Sequence, residues 1–305
     1  MIAYILRRLL QSIVVIVGVS FVTFALMYLS GDPVAVLAGD QASRQEIEVL
    51  RRELGFDRPW IVQYFSFLQH AVQGDLGTSL RYRQPVVPLI LERLPATATL
   101  AAAALVIAVG GALPLGVTAA VKRGKWADTA AIVLALAGQS VPGFWLGILL
   151  IYIFGVKLRV LPISGTGTFR HLVLPAITLS AYSLARNSRL IRSAMLDVLN
   201  QDFIRTARAK GLHPLAVLRR HALRNSLLSF VTIVGLELGF LLGGALITEM
   251  VFAWPGLGRL TIQAIYGKDV YLVQGAVILM AIVFVVVNLA VDVTYSLLDP
   301  RVHYR

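Results

Sequence analysis

The sequence predicts an all-α polytopic membrane protein with six transmembrane helices, and three observations carry that prediction. Of 305 residues, 57% are hydrophobic and only 14% are charged, whereas soluble domains carry about a quarter charged residues. Apolar runs of the roughly 20 residues needed to cross a bilayer recur along the chain. They fall at 9–30, 94–121, 129–156, 225–248 and 270–291, with a shorter sixth at 171–185 that holds Pro175 and continues through Arg186 and Asn187. Finally, Arg and Lys concentrate in alternate loops, as orientation in a membrane requires.

The first run follows Arg7 and Arg8. It is too long for a signal peptide and lacks a clean small-residue cleavage site, so it reads as a retained helix. The stretch 31–93 is too long for a plain connection. Ser43-Arg44-Gln45-Glu46 fits a capping box; Ile47, Leu50 and Leu54 follow at helical spacing, and Gly55 stops the run. Pro59 opens a second helix with Ile61, Phe65, Leu68 and Val72 on one face, and Trp60 and Tyr64 suit the headgroup level. Residues 1–93 therefore read as a first span plus a small helical extracytoplasmic segment near the membrane surface. Residues 94–305 read as a five-helix core. Within that core Pro114, Pro142 and Pro175 are expected bends. Gly235, Gly239 and Gly243 recur every fourth residue, which permits close helix approach.

With the N-terminus inside, the cytoplasmic pieces 1–8, 122–128, 186–224 and 299–305 hold 2, 3, 9 and 2 Arg or Lys. The other side holds 12, seven of them in the single long loop. Short loops set orientation, so both termini are expected in the cytoplasm. The same bias accounts for the net charge of +12 without nucleic acid as a partner. The chain has no cysteine, which excludes disulfides, thiolate metal sites and cysteine nucleophiles. His70, His171, His213, His221 and His303 show no metal-ligand spacing.

The densest basic stretch, DFIRTARAKGLHPLAVLRRHALRNSL at 202–227, holds six Arg or Lys and one acid. Asp202 is positioned to cap a helix over 203–210, with Gly211 as its C′ residue. Pro214 can start a second short helix, with Leu215, Leu218 and Ala222 on one face and Arg220 and Arg224 opposite. Two amphipathic helices around Gly-Leu-His-Pro make a compact knob suited to a groove on a soluble partner. The alternative is that the arginines only fix topology and contact anionic lipid; the Gly–Pro corner favours docking.

The run Thr206-Ala207-Arg208-Ala209-Lys210-Gly211-Leu212, followed by His221-Ala222-Leu223-Arg224-Asn225, resembles the EAA-type coupling loop of binding-protein-dependent ABC importer permeases. It is most similar to the dipeptide/oligopeptide/nickel/glutathione branch. Ala207 and Gly211 match the generic pattern, while Arg205 stands where it has Glu and Arg224 where it has a late Pro. Other segments of the resemblance are Gly31-Asp32-Pro33, Gly74-Asp75-Leu76-Gly77-Thr78-Ser79, Arg93-Leu94-Pro95, Phe252-Ala253-Trp254-Pro255-Gly256-Leu257-Gly258 and Asp299-Pro300-Arg301. The resemblance implies a type I permease fold in a prokaryotic cytoplasmic membrane. It also implies an ATPase-coupling loop at Arg205, Thr206, Ala207, Arg208, Lys210, Gly211, Leu212 and His213. The implied partners are a homologous second permease, two ABC ATPase domains and an extracytoplasmic solute-binding protein. The implied cargo is a short peptide, with glutathione or nickel as alternatives. No G-x-x-x-x-G-K-[ST] loop is present, so ATP and Mg are expected on a partner chain and this chain is not expected to be an enzyme.

One feature leaves room for another class. Glu237 lies mid-span, where a carboxylate is costly and faces either a translocation path or a hydrogen-bonding neighbour. It is the one good midplane group for an ion-gradient-driven transporter, although no internal repeat accompanies it. Asp292 lies near the end of the last span and suits an end-of-helix role. Arg186, Arg189 and Arg192 leave the fourth span as a cytoplasmic collar or, alternatively, a carboxylate clamp.

Overall fold

A computed structural model describes residues 2–29, 33–38 and 42–298. Gly31-Asp32 and the Asp299-Pro300-Arg301 motif lie outside the described residues, as do Gly235's surroundings and the Asp292 side chain. Among the described residues there are helices and one isolated bridge, Thr78 with Pro85, but no strand. In chain order the helices are α1 (Ile2–Leu29), α2 (Pro33–Ala38), α3 (Arg44–Glu53), α4 (Trp60–Val72), α5 (Val86–Val121), α6 (Trp126–Ser140) and α7 (Gly143–Leu150). They continue with α8 (Phe169–Leu199), α9 (Asp202–Ala209), α10 (Pro214–Ala216), α11 (Arg224–Val251), α12 (Leu257–Tyr266) and α13 (Val270–Leu298). π-helical turns follow α7 at Ile151–Lys157 and α10 at Val217–Leu223.

Leu10–Leu29, Val86–Val121 and Val270–Val291 are each long and apolar enough to cross a membrane. The third expected run is instead a broken pair, Trp126–Ser140 and Gly143–Lys157, bent by 103°. Pro142 stands at that break, as expected, because it removes a backbone donor and collides with the preceding turn. Pro114 and Pro175 do not end their helices: α5 and α8 run through them. The sequence placed the second span at 94, but α5 starts at Val86, with Pro88 tolerated in its first turn.

The described residues group into two compact units: one holds those through Thr97 with Pro255–Leu289, the other Ala98–Trp254 with those from Ala290 to Leu298. In the first unit Met27, Val86, Ile90, Leu257, Leu260, Ala264 and Leu272 form the core. The carboxylate of Asp269, fully buried, ties the loop at 74–83 to the start of α13. It accepts the Ser79 hydroxyl and the Arg81 and Leu272 N–H groups. The capping box of α3 is present: Ser43 Oγ accepts the Glu46 N–H, and Glu46 accepts the Ser43 N–H at 2.7 Å. On α4 the sequence expectation needs correction. Tyr64 is buried on α1, sharing a 2.9 Å hydrogen bond with Ser20 and lying edge-on to Phe21. Ile61, Phe65 and Val72 are exposed. The helix has two apolar stripes, and the one whose polar tip finds Ser20 is the one that packs.

In the second unit α8 is the central helix, packed against α6, α7 and α11. It meets α5 closely, since a Cβ on Gly116 would lie 2.6 Å from the Ser188 carbonyl oxygen. Among the described residues nothing lies within 4 Å of a Cβ placed on Gly243, so none of them makes the close approach expected there.

Candidate functional site

The basic segment forms a helix–corner–helix projection on the second unit. α9 begins after Gln201, which contributes no side-chain cap. Asp202 is therefore not the cap expected from sequence but the first helical residue, where its charge still suits the helix N-terminus. It pairs with Arg205 at 3.3 Å, both exposed, an arrangement worth little. What holds α9 is burial. Ile204 is 0% exposed and Ala207 nearly so, and both enter a cluster with Ala112 and Ala120 of α5, Ile191 and Met195 of α8, and Val217 and Ala222. Burying an isoleucine stabilises by about 1.5–3 kcal/mol.

The corner is a full Schellman turn. Gly211, at φ +73°, donates to the Arg208 carbonyl, and Leu212 donates to the Ala207 carbonyl. His213 then caps the next helix, its Nδ1 accepting the Leu215 N–H at 3.3 Å, and Pro214 occupies the first helical position. That second helix is not short, as the sequence suggested. It passes through the π-helical turn directly into α11, so Pro214–Val251 is one helical run. The turn also changes its face: Val217 and Ala222, five residues apart, are the buried pair, while Leu215 is exposed. A five-residue repeat is the π-helical one.

The expected coupling residues thus divide. Ala207 is an internal anchor, whereas Arg205, Thr206, Arg208, Lys210, Gly211, Leu212 and His213 are exposed. With Phe203 and Leu215 they present apolar side chains among cations.

Behind the projection, α6 and α8 are clamped together. Asp128 precedes the apolar run that begins at residue 129. It accepts Arg192 Nε at 2.6 Å, Arg192 Nη2 at 2.9 Å and the Gly124 N–H at 3.0 Å. The two-pronged bond to Arg192, then the Gly124 N–H, holds its carboxyl down at about 2. The same bond pushes the Arg192 guanidinium up. Arg192 is therefore engaged, while Arg186 and Arg189 stay exposed. Sequence reasoning missed Asp128; its place three residues into a helix after Gly124 offered only a faint signal.

Glu237 is 2% exposed, and its Oε1 has no hydrogen-bond partner among the described residues. On α8, Ser183 and Asn187 are also fully buried with unpartnered side-chain atoms. Tyr182 stacks on Phe240 at 5.7 Å, and the Ser226 hydroxyl donates to Met195 Sδ at 3.0 Å. These two contacts make α8 and α11 antiparallel and put Glu237 level with Ser183 and Asn187.

Comparison with known proteins gives this arrangement a family. The model of the binding-protein-dependent transport system inner membrane component matches residues 112–304, and that of its N-terminal region matches 1–101. The chain belongs to this family of inner-membrane transport components. A putative peptide transport system permease protein of Brucella suis biovar 1 (strain 1330) is 44% identical over 313 residues, covering 100% of both chains. The glutathione transport system permease protein GsiC of Escherichia coli O6:H1 is 40% identical over 306 residues, again with 100% of both chains. Among solved structures, the MetNI methionine ABC transporter in an inward-facing conformation matches with a TM-score of 0.60 at 21% identity, over 69% of this chain and 96% of that one. The fold of this family member is thus the ABC importer permease fold, and it is a multi-pass inner-membrane protein.

Proposed function

We propose that the chain is the translocation subunit of an ATP-driven importer of short peptides. The observation that carries this reading is the projection at 202–215, exposed at its tip and anchored by Ile204 and Ala207 in the packing of α5 and α8. A partner gripping Arg205, Thr206, Arg208, Lys210, Gly211, Leu212 and His213 would move the membrane helices directly, with Ala207 fixing the lever. That partner is one of two ABC ATPase domains, which bind ATP and Mg; this chain catalyses nothing itself. A homologous second permease and an extracytoplasmic solute-binding protein complete the machine. Six spans, both termini in the cytoplasm, and a division into residues 1–93 and 94–305 fit the alternation of basic loops. The peptide and glutathione names of the two relatives support a peptide-like cargo; nickel is the remaining branch alternative.

Glu237, with Ser183 and Asn187, lines the translocation path in this reading. Its unpartnered buried carboxylate is also the single observation favouring a gradient-driven transporter. Purification from native membranes in mild detergent, with mass spectrometry of what accompanies the chain, tests the first reading. Recovery of a second permease and P-loop ATPases supports it; a chain that emerges alone after crosslinking contradicts it. Uptake that stops on ATP depletion but survives uncouplers excludes the gradient-driven alternative. For the path, Glu237→Gln should alter uptake, and unchanged uptake across pH and peptide concentration would make Glu237 a structural residue.

A further inference from the structure

A cavity of about 800 Å³ lies within the first unit, walled by α1, the end of α3, α4, the loop at 75–83 and the start of α13. Its size falls within the roughly 300–1,000 Å³ of small-molecule sites. Among its lining residues Phe24 and Phe67 are 7% exposed and Gln274 only 1%, while Arg58 and Arg83 are exposed.

Gln274 is the informative residue. Both its Oε1 and its Nε2 are buried without a hydrogen-bond partner among the described residues, yet its neighbours Leu272, Val273 and Ala276 are ordinary apolar core. A leucine would serve packing there at least as well, because a buried unpaired amide costs about 1–3 kcal/mol. A carboxamide with one acceptor and two donors is the complement of a peptide group. The aromatic rings of Phe24, Phe67 and Tyr271 supply apolar walls, and Arg58 and Arg83 supply cations suited to a carboxylate.

We propose that this cavity binds a short peptide directly, with a backbone amide on Gln274 and the terminal carboxylate on Arg58 and Arg83. It is a site separate from the Glu237 level of the second unit, and it rests on the peptide-import reading only for the choice of probe.

The test is calorimetric titration of trialanine and of trialaninamide into the purified full chain in mild detergent, without any solute-binding protein. The expected result is saturable trialanine binding, weakened about tenfold by amidation and about tenfold by Gln274→Leu, the scale of one charged or two neutral hydrogen bonds. Gln274→Leu should leave the melting temperature unchanged or raised, which a packing role for the amide would not do. Absent trialanine binding, or binding that Gln274→Leu leaves unchanged, overturns the site. Import of trialanine by the assembled transporter, measured in parallel, separates failure of the site from failure of the import reading.

Discussion

Two segments of this chain share one plan and are stabilised differently. α3 with α4 and α9 with α10 are each a short helix, a glycine at φ +73° (Gly55 and Gly211), and a proline at the start of the next helix (Pro59 and Pro214). α3 has a complete capping box and buries none of its residues. α9 has no side-chain cap and buries Ile204 and Ala207 in the helical core. Local chemistry holds the first, and tertiary packing holds the second. The coupling role proposed above needs a segment rigid with respect to the helices it moves, and the burial of Ile204 and Ala207 supports α9 in that role.

That contrast breaks first at Ile204. Ile204→Ala should cost about 2–5 kcal/mol, read as a large fall in melting temperature in detergent; a change as small as that of a surface substitution would show that α9 is not packed on the core. Next is the clamp that braces α8. Asp128→Asn should cost about 1.5–3 kcal/mol through lost charged hydrogen bonds. Its pH signature is flat. A carboxyl held at about 2 in the fold, against about 3.9 when unfolded, contributes fully above the unfolded value and loses that contribution only as pH falls toward 2. The difference in melting temperature between wild type and Asp128→Asn should therefore be constant from pH 5.5 to 8.5; a steep decline within that window would contradict the clamp. Ser43→Ala, which removes the α3 cap, should cost about 1 kcal/mol. The smallest effect belongs to Gln201→Ala, at the uncapped start of α9, within about 0.5 kcal/mol.

The same contrast explains what could be read from sequence. The capping box at Ser43, the glycine at 211 and the proline at 214 are local signals, and each is where it was expected. The cap misassigned to Asp202 failed because Asp also suits the first helical turn, and burial of Ile204 rather than a cap sets the start of α9. The π-helical turn at 217–223 left no local mark, so the face drawn through Leu215, Leu218 and Ala222 shifted to Val217 and Ala222. Asp128 and Arg192 are 64 residues apart in sequence, and only the fold joins them. Tyr64 looked like a headgroup residue because its partner, Ser20, lies on another helix.

The coupling role of the 202–215 projection is the central claim, and the absence of cysteine from the chain offers a direct measurement. A single Leu212→Cys is compared with a single Val49→Cys on α3, two positions of similar accessibility at 41% and 57% exposed. Each is treated with a short bifunctional thiol–amine reagent in native membranes. Leu212→Cys should crosslink to a P-loop ATPase, with crosslinking reduced by Arg208→Glu, and Val49→Cys should give no such product. An ATPase captured equally from both positions, or from neither, would contradict the claim.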